Sequence, residues 1–341
     1  MVESPKERLI SVVIPNRNGA AVIGRCLAAA LASNYGQFEV VVVDDASDDA
    51  SVEVIRTFPC RLVRLKEHQG VSKARNAGAK ASCGELLLFI DNDCLLGRET
   101  LSIANASYGQ RKDLILGGTY TASPHDRDFF SFFQSVFIHH FETKKAVPDY
   151  VAAHVMVIDA ELFRSSGGFV EDSFIGVAAS VEDVEFCHRL RRAGCRLAMN
   201  RDMQVQHMFR FSLRRSLDNA IRKARYWTRY SMANRDLFAD SGAASLELKA
   251  NVLSCLGQAF LLASCVALGV WWPVGPMATL LAIVLALNRK LVGAWFRTRG
   301  LAFAVLATLY YVTAYAAAVG VGAACGAVQH LWGARLLRGY Q

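Results

Sequence analysis

An uncharged apolar run near the C-terminus limits the architecture of this chain more than any other feature. No side chain from Val252 to Trp272 is charged, and the run is close to the ~20 residues that a helix needs to cross ~30 Å of hydrocarbon. Two further apolar runs, Met277 to Leu287 and Leu301 to Val328, follow it. We therefore predict a transmembrane helical region of two to three spans over residues 251–341. Buried core helices of a soluble protein are the alternative.

A basic segment precedes the first apolar run. Between Met208 and Arg235 eight side chains are cationic and only Asp218 is anionic, which accounts for most of the formal net charge of +8. The position beside a membrane segment favours anionic lipid headgroups or phosphates over nucleic acid as the partner. We predict that residues 211–250 form a basic amphipathic segment at the membrane interface, and a solvated basic face is the alternative.

The cations that flank the apolar runs predict the orientation in the membrane, because segments rich in Lys and Arg stay on the cytoplasmic side. These cations are Lys249, Arg289, Lys290, Arg297 and Arg299. Arg335 and Arg338 would lie outside after three spans, and inside if Leu301 to Val328 is a hairpin or a re-entrant pair. We favour three spans. The N-terminus shows no apolar export signal, so the sequence predicts a multi-pass cell-membrane protein with a cytoplasmic first domain.

Short apolar strands alternate with helical patterns before residue 210. The predicted strands are 9–14, 38–43, 61–65 and 85–90, and the predicted helices are 20–32, 50–57 and 71–81. In this scheme Pro15 stops the first strand. Such alternation is typical of an α/β domain whose mostly parallel, Rossmann-like sheet carries helices on both faces. We predict one such domain over residues 1–210.

Motifs that are missing exclude several classes of site. The nine cysteines are scattered and include no C-x-x-C pair, so the sequence predicts neither a zinc site nor a disulfide framework. Neither a G-x-G-x-x-G fingerprint nor a G-x-x-x-x-G-K-[ST] loop follows the first strand. A dinucleotide-binding fold and a P-loop are therefore disfavoured.

Ligands of doubly wound sheets bind beyond the carboxyl ends of the strands. The polar residues at these positions are Asn16, Arg17, Asp44, Asp45, Asp91 and Asp93. Asp91 and Asp93 form a D-x-D triplet after the fourth strand, and such a carboxylate pair suits Mg²⁺ or Mn²⁺ bridging a diphosphate. An ordinary acidic turn is the alternative interpretation.

Two predicted helices begin with charges suited to chemistry. Gly70 opens a helix whose first turns carry Lys73 and Arg75, an arrangement that suits anionic phosphate. A plain amphipathic helix would show the same pattern. Glu182 and Asp183 begin a later helix, where one acid can hold position while the other takes a proton. Acids that only stabilise the helix dipole would look the same.

The full set of motifs resembles the family 2 glycosyltransferases. In chain order the motifs are I-P-N-R-N (14–18), V-V-D-D-A-S (42–47), G-V-S-K-A-R-N-A-G (70–78), F-I-D-N-D (89–93), G-G-F (167–169) and E-D-V-E-F-C-H-R-L (182–190). Together they are specific and follow the family's order. The resemblance implies a GT-A fold and an inverting, metal-dependent transfer from a nucleotide-sugar donor, in the synthesis of a polysaccharide, another glycan or a glycolipid.

The resemblance also implies roles for individual residues. Asp183 would be the catalytic base with Glu182 supporting it, and Asp91 and Asp93 would be the metal-binding pair, with Asp93 favoured as the direct ligand. His207 matches a histidine that completes the metal site in some relatives, and a lone surface histidine is the alternative. The donor site would comprise Pro15, Asn16, Arg17, Asp44, Asp45, Gly70, Lys73, Arg75, Asn76 and Asp91.

The acceptor stays open at this level. Residues 129–141 are unusually aromatic, and they are either plain core or an interfacial segment that guides a lipid-linked acceptor. Two other classes compete with the transferase. A nucleotidyltransferase lacks support because its usual Gly-rich, Arg-containing loop is missing, and a non-catalytic membrane scaffold is disfavoured by the acids at 91, 93 and 183.

Overall fold

The computed structural model describes residues 7–171 and 181–338, with side chains described as far as Trp332. The chain divides into two compact units. The first comprises Met1–Arg127 and Glu142–Arg210, and the second comprises Asp128–Phe141 and Phe211–Gln341. Residues 128–141 therefore group with the C-terminal half, although the sequence pattern placed them in the first domain.

One mixed sheet of eight strands forms the centre of the first unit. The strands are β1 (Ile10–Asn16), β2 (Phe38–Asp44), β3 (Arg61–Arg64), β4 (Leu86–Phe89), β5 (Cys94–Leu96), β6 (Leu114–Tyr120), β7 (Met156–Asp159) and β8 (Arg196–His207). Their spatial order is β3-β2-β1-β4-β7-β6-β8-β5. The first half is parallel, as the alternating pattern predicts, and the second half is mixed.

Helices connect these strands. The helices before residue 200 are α1 (Ile23–Leu31), α2 (Ser51–Ile55), α3 (Val71–Ala81), α4 (Thr100–Tyr108), α5 (Phe129–Glu142), α6 (Ala160–Ser165) and α7 (Glu182–Arg192). Of these, α5 falls almost entirely in the second unit, and the others belong to the first. This arrangement confirms the predicted α/β class.

The pairing directions bring six strand ends to one edge of the sheet. The parallel strands β1, β2 and β4 end together there. Because β7 runs antiparallel to both β4 and β6, its first residues lie beside the last residues of those strands. The end of β8 joins them because β8 runs parallel to β6. We call this side the carboxyl edge.

The predicted end of the first strand at Pro15 is wrong. β1 continues to Asn16, with Pro15 opposite Val43 and Asn16 opposite Asp44 on β2. On its other side β1 pairs with β4 only from Ile10 to Val13. Proline is tolerated at an edge position because its missing N–H takes no ladder bond there, and the extra residue carries Asn16 to the carboxyl edge.

Buried side chains of the first unit pack around β4, whose last residue lies at the carboxyl edge. All four residues of β4 are buried, and the Phe89 ring lies 5.0 Å from Phe163 and 5.3 Å from Phe169 between ring centroids. Phe163 belongs to α6 and Phe169 to the Gly-Gly-Phe motif. This aromatic cluster ties the strand that precedes Asp91 to α6 and to the Gly-Gly-Phe turn that follows it.

The second unit is helical. Besides α5 it contains α8 (Leu213–Asn234), α9 (Leu246–Leu268), α10 (Val274–Leu287), α11 (Arg289–Tyr310) and α12 (Ala316–Arg338). A π-turn at 311–315 joins the last two, and α11 is broken at Arg299 and Gly300, where Gly300 has φ +77°. The side chains of Arg335 and Arg338, whose position was predicted to depend on the number of spans, lie outside the described residues.

Two stretches of this unit are long and apolar enough to cross a membrane, Leu246–Leu268 and Arg289–Trp332. In the most apolar part of the first, 11% of the residues are buried against protein, compared with 50% in the second. The apolar helix α10 is shorter. Length and composition therefore agree with membrane association, while the number of crossings and the cytoplasmic orientation stay predictions.

The aromatic segment 129–141 is core of the second unit. Phe133 and Phe137 of α5 are fully buried. The Phe133 ring lies 5.4 Å from Trp295, 4.8 Å from Tyr310 and 5.1 Å from Tyr315. Of the two interpretations left open by the sequence, the packing of α5 favours the core.

Candidate active site

One side of the candidate site is a hydrogen-bonded group at the ends of β1 and β2. Asn16 Nδ2 donates to Asp44 Oδ1 at 3.1 Å, and Ser47 Oγ donates to the same oxygen at 2.5 Å. Asn92, the middle residue of the D-x-D triplet, donates from Nδ2 to Asn16 Oδ1 at 2.7 Å. A Cβ at Gly19 would lie 2.3 Å from both Asn16 Oδ1 and Asn92 Nδ2, so only glycine leaves this contact intact.

Asp45 holds the turn that begins α3. Its carboxylate accepts from Gln69 N at 2.7 Å and from Gly70 N at 2.9 Å, and it lies 2.8 Å from His68 Nδ1. Gly70 has φ +91°, a conformation that favours glycine. Arg17 Nη1 donates to the Asp45 carbonyl at 3.3 Å. Asp45 therefore fixes where the first turn of α3 begins.

Two of the residues predicted to lie near the donor phosphates are hydrogen-bonded to protein groups in this structure. Asn76 donates to the Phe169 carbonyl and to Glu171 Oε1, both at 2.8 Å, and accepts from Phe169 N at 2.9 Å. It thus fixes the Gly-Gly-Phe turn, whose Gly168 has φ +69°. Arg75 is the second such residue, whereas Lys73 lies half-buried on the first turn of α3.

The Arg75 guanidinium joins two acidic motifs. It is 4% exposed, and it donates from Nη2 to Asp91 Oδ1 at 2.8 Å and from Nη1 to Glu182 Oε1 at 2.6 Å. The D-x-D triplet and the Glu182–Asp183 pair, separated by about 90 residues in the chain, therefore meet around one buried cation. Both contacts are charge-assisted hydrogen bonds, the stronger class in proteins.

The pKa values of Asp91 and Asp93 are shifted in opposite directions. Although burial opposes it, the Arg75 guanidinium holds the pKa of Asp91 below its usual range. Burial, reinforced by the charge of Asp91, raises the pKa of Asp93 to about 7. Arg75 thus compensates the charge of Asp91, whereas Asp93 lies beside the ring of His207.

Asp93 and His207 form the candidate metal centre. His207 Nε2 lies 3.4 Å from Asp93 Oδ1, and one ligand atom each from Asp93, Cys94 and His207 lies within 4.8 Å of the others. The His207 ring stacks on Phe209 with centroids 3.8 Å apart, which fixes its orientation. An oxygen ligand and a nitrogen ligand beside a second carboxylate fit a divalent cation such as Mn²⁺.

Glu182 and Asp183 begin α7 and differ in their contacts. Glu182 is buried, and among the described residues its Oε2 has no hydrogen-bond partner. Burial, opposed by Arg75 and reinforced by the charge of Asp183, raises the pKa of Glu182 to about 7. Asp183 accepts from Ala153 N at 3.1 Å and from Val184 N at 2.9 Å, so backbone groups orient its carboxylate.

A buried group next to the metal centre had no signal in the sequence. The Tyr120 ring stacks on His154 at 4.0 Å and meets His207 edge-on at 4.8 Å. His154 Nε2 lies 3.3 Å from Glu142 Oε2, which also accepts from Thr119 Oγ1 at 2.7 Å. These side chains come from the end of β6, the end of α5 and the turn before β7, and only the sheet topology brings them together.

Glu182→Gln is expected to flatten the pH dependence of stability. The folded-state pKa of about 7 lies above the ~4.3 of an unfolded glutamate, so the folded chain keeps its proton to higher pH. The free energy of unfolding therefore falls as the pH rises between these two pKa values. This group contributes at most ~1.4 kcal/mol per pH unit to the fall. Urea unfolding of the wild type and the variant in detergent, without metal, measures the difference. Identical slopes would assign the titration to another group.

A family model matches slightly less than half of the chain. Residues 11–164 match the model of glycosyl transferase family 2. The chain carries a family 2 glycosyltransferase domain. The D-x-D triplet and Arg75 lie inside the matched segment, whereas Asp183 and His207 lie beyond its end. The predicted family resemblance is confirmed.

Curated relatives of this glycosyltransferase domain match over short segments. Glycosyltransferase AglE of Haloferax volcanii is 39% identical over 92 residues, which are 25% of this chain and 30% of that protein. Validoxylamine A glucosyltransferase of Streptomyces hygroscopicus is 36% identical over 126 residues, 34% of this chain and 30% of that protein. The chain thus spans less than a third of the length of these two relatives.

A solved structure supports the fold of the glycosyltransferase over a longer range. A mannosyltransferase of Pyrobaculum calidifontis, solved in complex with GDP-Man and Mn²⁺, superposes with a TM-score of 0.58 at 20% identity, covering 96% of this chain and 88% of that one. At this identity the likeness concerns the fold. The predicted GT-A fold is confirmed.

Proposed function

We propose that the protein transfers a sugar from a nucleotide-sugar donor to an acceptor hydroxyl, with inversion at the anomeric carbon and with Mg²⁺ or Mn²⁺ as cofactor. The Arg75 bridge carries this proposal, because it sets Asp91 of the D-x-D triplet beside Glu182 and Asp183. Glycosyl transfer needs one group for the leaving diphosphate and another for the attacking hydroxyl in a single cleft. The names of the glucosyl- and mannosyltransferase relatives agree with this reaction class.

Asp93 and His207, with Asp91 beside them, would hold the cation. Bound there, it would supply positive charge against the charge that grows on the β-phosphate as the C1–O bond breaks. Lys73 on the first turn of α3 would add a cationic contact to the phosphates. Arg75 acts through Asp91 and Glu182, because both of its donor arms are already occupied by these two carboxylates.

The donor nucleoside would lie against the group at the ends of β1 and β2. Asn16 and Asp44 are already ordered by the hydrogen bond from Asn16 to Asp44, which lowers the conformational entropy lost on binding. Pro15, Arg17 and Asp45 complete this side of the pocket in our proposal. Gly70 and Asn76 contribute by shaping the start of α3 and the Gly-Gly-Phe turn.

Asp183 would act as the catalytic base. It removes the proton of the acceptor hydroxyl while the acceptor oxygen bonds to C1 and the C1–O bond to the diphosphate breaks, so that one displacement inverts the anomeric centre. Glu182 would keep Arg75 in place and would not touch the acceptor. The backbone contacts of Asp183 with Ala153 and Val184 would orient its carboxylate for this role.

The acceptor and the location belong to the same proposal. The second unit would attach the enzyme to the cell membrane, with the catalytic domain on the cytoplasmic face. The acceptor would be a glycan or a lipid-linked sugar of a polysaccharide or glycolipid route. Composition supports this placement through the basic α8 and the apolar α9.

The reaction class can be tested on detergent-purified full-length protein. A thermal-shift screen with UDP-, GDP- and dTDP-sugars and Mn²⁺ identifies the donor, because a ligand that binds the folded state raises the Tm. Turnover of that donor should then release a nucleoside diphosphate. Release of pyrophosphate would favour the nucleotidyltransferase, and failure to bind any nucleotide sugar would favour the non-catalytic scaffold.

Asp93→Asn is expected to abolish the Mn²⁺-dependent part of the Tm rise produced by the donor. The substitution keeps the size of the side chain and removes the carboxylate that we assign to the cation. Asp202→Asn, on an exposed position of β8, serves as the matched control and should respond to Mn²⁺ as the wild type does. A normal Mn²⁺ response of Asp93→Asn would exclude Asp93 as a ligand.

A further inference from the structure

The last apolar helix packs directly against the basic helix. A Cβ on Gly322 of α12 would lie 2.3 Å from the Ile221 carbonyl of α8, and a Cβ on Gly326 would lie 2.4 Å from the Arg225 carbonyl. The two backbones therefore touch through a small-residue face of the G-x-x-x-G type, which permits close helix contact. The contact moves forward by four residues on both helices, from Gly322 to Gly326 on α12 and from Ile221 to Arg225 on α8. The two helices therefore run in the same direction.

This contact limits where α12 can lie. If α12 crossed the hydrocarbon, α8 would be drawn into it, and a single Lys or Arg at the bilayer centre lowers insertion by roughly 100-fold. The cations of α8 are Arg214, Arg215, Arg222, Lys223, Arg225 and Arg229. Asp218 pairs with Arg214 at 3.7 Å, but both are exposed. The absence of charged side chains from Ala316 to Val328 is therefore not sufficient for α12 to span the membrane, because the helix that packs against it, α8, is basic.

Helices α9 and α10 form a hairpin whose two ends meet. Asn288, directly after α10, donates from Nδ2 to Asn251 Oδ1 near the start of α9 at 2.8 Å, and both residues are buried. Further along, a Cβ on Gly257 would lie 3.3 Å from Leu280 Cδ1. The two helices thus run antiparallel, and the chain leaves the hairpin at the level where it entered.

The surface of this hairpin suits lipid. No Asp, Glu, Lys or Arg lies between Lys249 and Arg289, so the nearest charges are at its base. The most exposed large apolar side chains of this unit include Phe260 at 72% and Val266 at 80%, and Trp271 at the turn is 84% exposed. At 1.5 Å per residue α9 is roughly 35 Å long, and tryptophan at such a turn is typical of a membrane–water interface.

We propose that the α9–α10 hairpin is the membrane-inserted element of the described chain, and that α8, α11 and α12 lie at the membrane surface on the side of the catalytic domain. The partner is a phospholipid bilayer, with the exposed cations of α8 facing its headgroups. The C-terminus then stays on the catalytic side. This differs from the three-span, multi-pass arrangement that the sequence favours, because that arrangement counts charges along each helix and not on its neighbour.

The side of each terminus tests this arrangement without changing the fold. Full-length protein is reconstituted in sealed vesicles of neutral and anionic phospholipid, with one protease-cleavable tag before Met1 and another after Gln341. We expect both tags to be cleaved from the same side of the membrane. Cleavage of the two tags from opposite sides would overturn the proposal. This result is independent of sugar transfer, which is measured separately by release of nucleoside diphosphate.

A matched pair of substitutions locates the inserted element. Val266 of α9 and Val321 of α12 are both exposed, at 80% and 53%. Val266→Lys is expected to lower the ratio of membrane-bound to released protein after alkaline washing by up to ~100-fold, whereas Val321→Lys should leave it within about twofold. An equal loss for both variants, or a larger loss for Val321→Lys, would place α12 in the hydrocarbon and overturn the proposal.

Discussion

Asp183→Asn is expected to fold normally and to lose transfer by ~10²–10⁴-fold in kcat, the range typical of removing a general base. The amide keeps the shape of the side chain, and its oxygen can still accept the backbone hydrogen bond from Ala153. It cannot take the proton of the acceptor hydroxyl. Donor binding should change little, because in our proposal Asp183 meets the acceptor and not the nucleotide. Release of nucleoside diphosphate with saturating donor measures the effect.

Glu161→Gln provides the matched control for this experiment. Glu161 lies on α6, where its carboxylate is 80% exposed and pairs with the equally exposed Lys112. The same acid-to-amide change there should leave turnover within about twofold. Near-normal turnover by Asp183→Asn would assign the base to another residue, and Glu182 would be the first to test.

Arg75→Met is expected to give the largest loss of stability of any single change at the site. Removing one partner from a buried ion pair leaves the other charge uncompensated, which costs ~3–5 kcal/mol in the free energy of unfolding. Arg75 is 4% exposed and compensates two carboxylates, those of Asp91 and Glu182. Transfer should also fail, because the D-x-D triplet loses its link to α7, which carries the proposed base. Urea unfolding and donor turnover measure the two effects.

Two variants separate charge from packing in this prediction. Arg75→Lys keeps the charge but cannot reproduce the two-armed geometry of the guanidinium, so it should recover part of the stability and little of the activity. Arg196→Met removes an exposed arginine that pairs with Asp113 and should change the unfolding curve little. If Arg75→Met unfolds with the same midpoint as the wild type, the bridge does not stabilise the fold.

The site elements that depend on local order in the chain could be predicted from the sequence. Alternating apolar strands and helices predict the parallel half of the sheet, and position after a strand predicts that Asn16, Asp44 and Asp91 meet at one edge. The register agrees with this, because Asn16 lies opposite Asp44, and Phe89, two residues before Asp91, lies opposite Val13 of β1. These features follow from the periodicity of single segments.

Elements that depend on long-range packing could not be predicted. From its position at the start of a helix, Arg75 is predicted to lie near the donor phosphates. In the structure it donates a hydrogen bond to Glu182, which is 107 residues away in the chain. His154 lies at the carboxyl edge because it belongs to the turn that immediately precedes β7, which runs antiparallel to β4. The hydrogen bond from Asn92 to Asn16 likewise joins residues that are distant in the chain. No sequence period encodes such partners, because each depends on the course of a different strand.

X-ray diffraction can test directly whether Asp93 and His207 bind a divalent cation. Crystals of the full-length protein soaked with Mn²⁺ and the nucleoside diphosphate identified by the thermal-shift screen would be measured at the manganese absorption edge. We expect one strong anomalous peak within ~2.3 Å of Asp93 and His207, with the diphosphate on its open side. A peak elsewhere, or a diphosphate bound without a peak between these residues, would contradict the proposed chemistry.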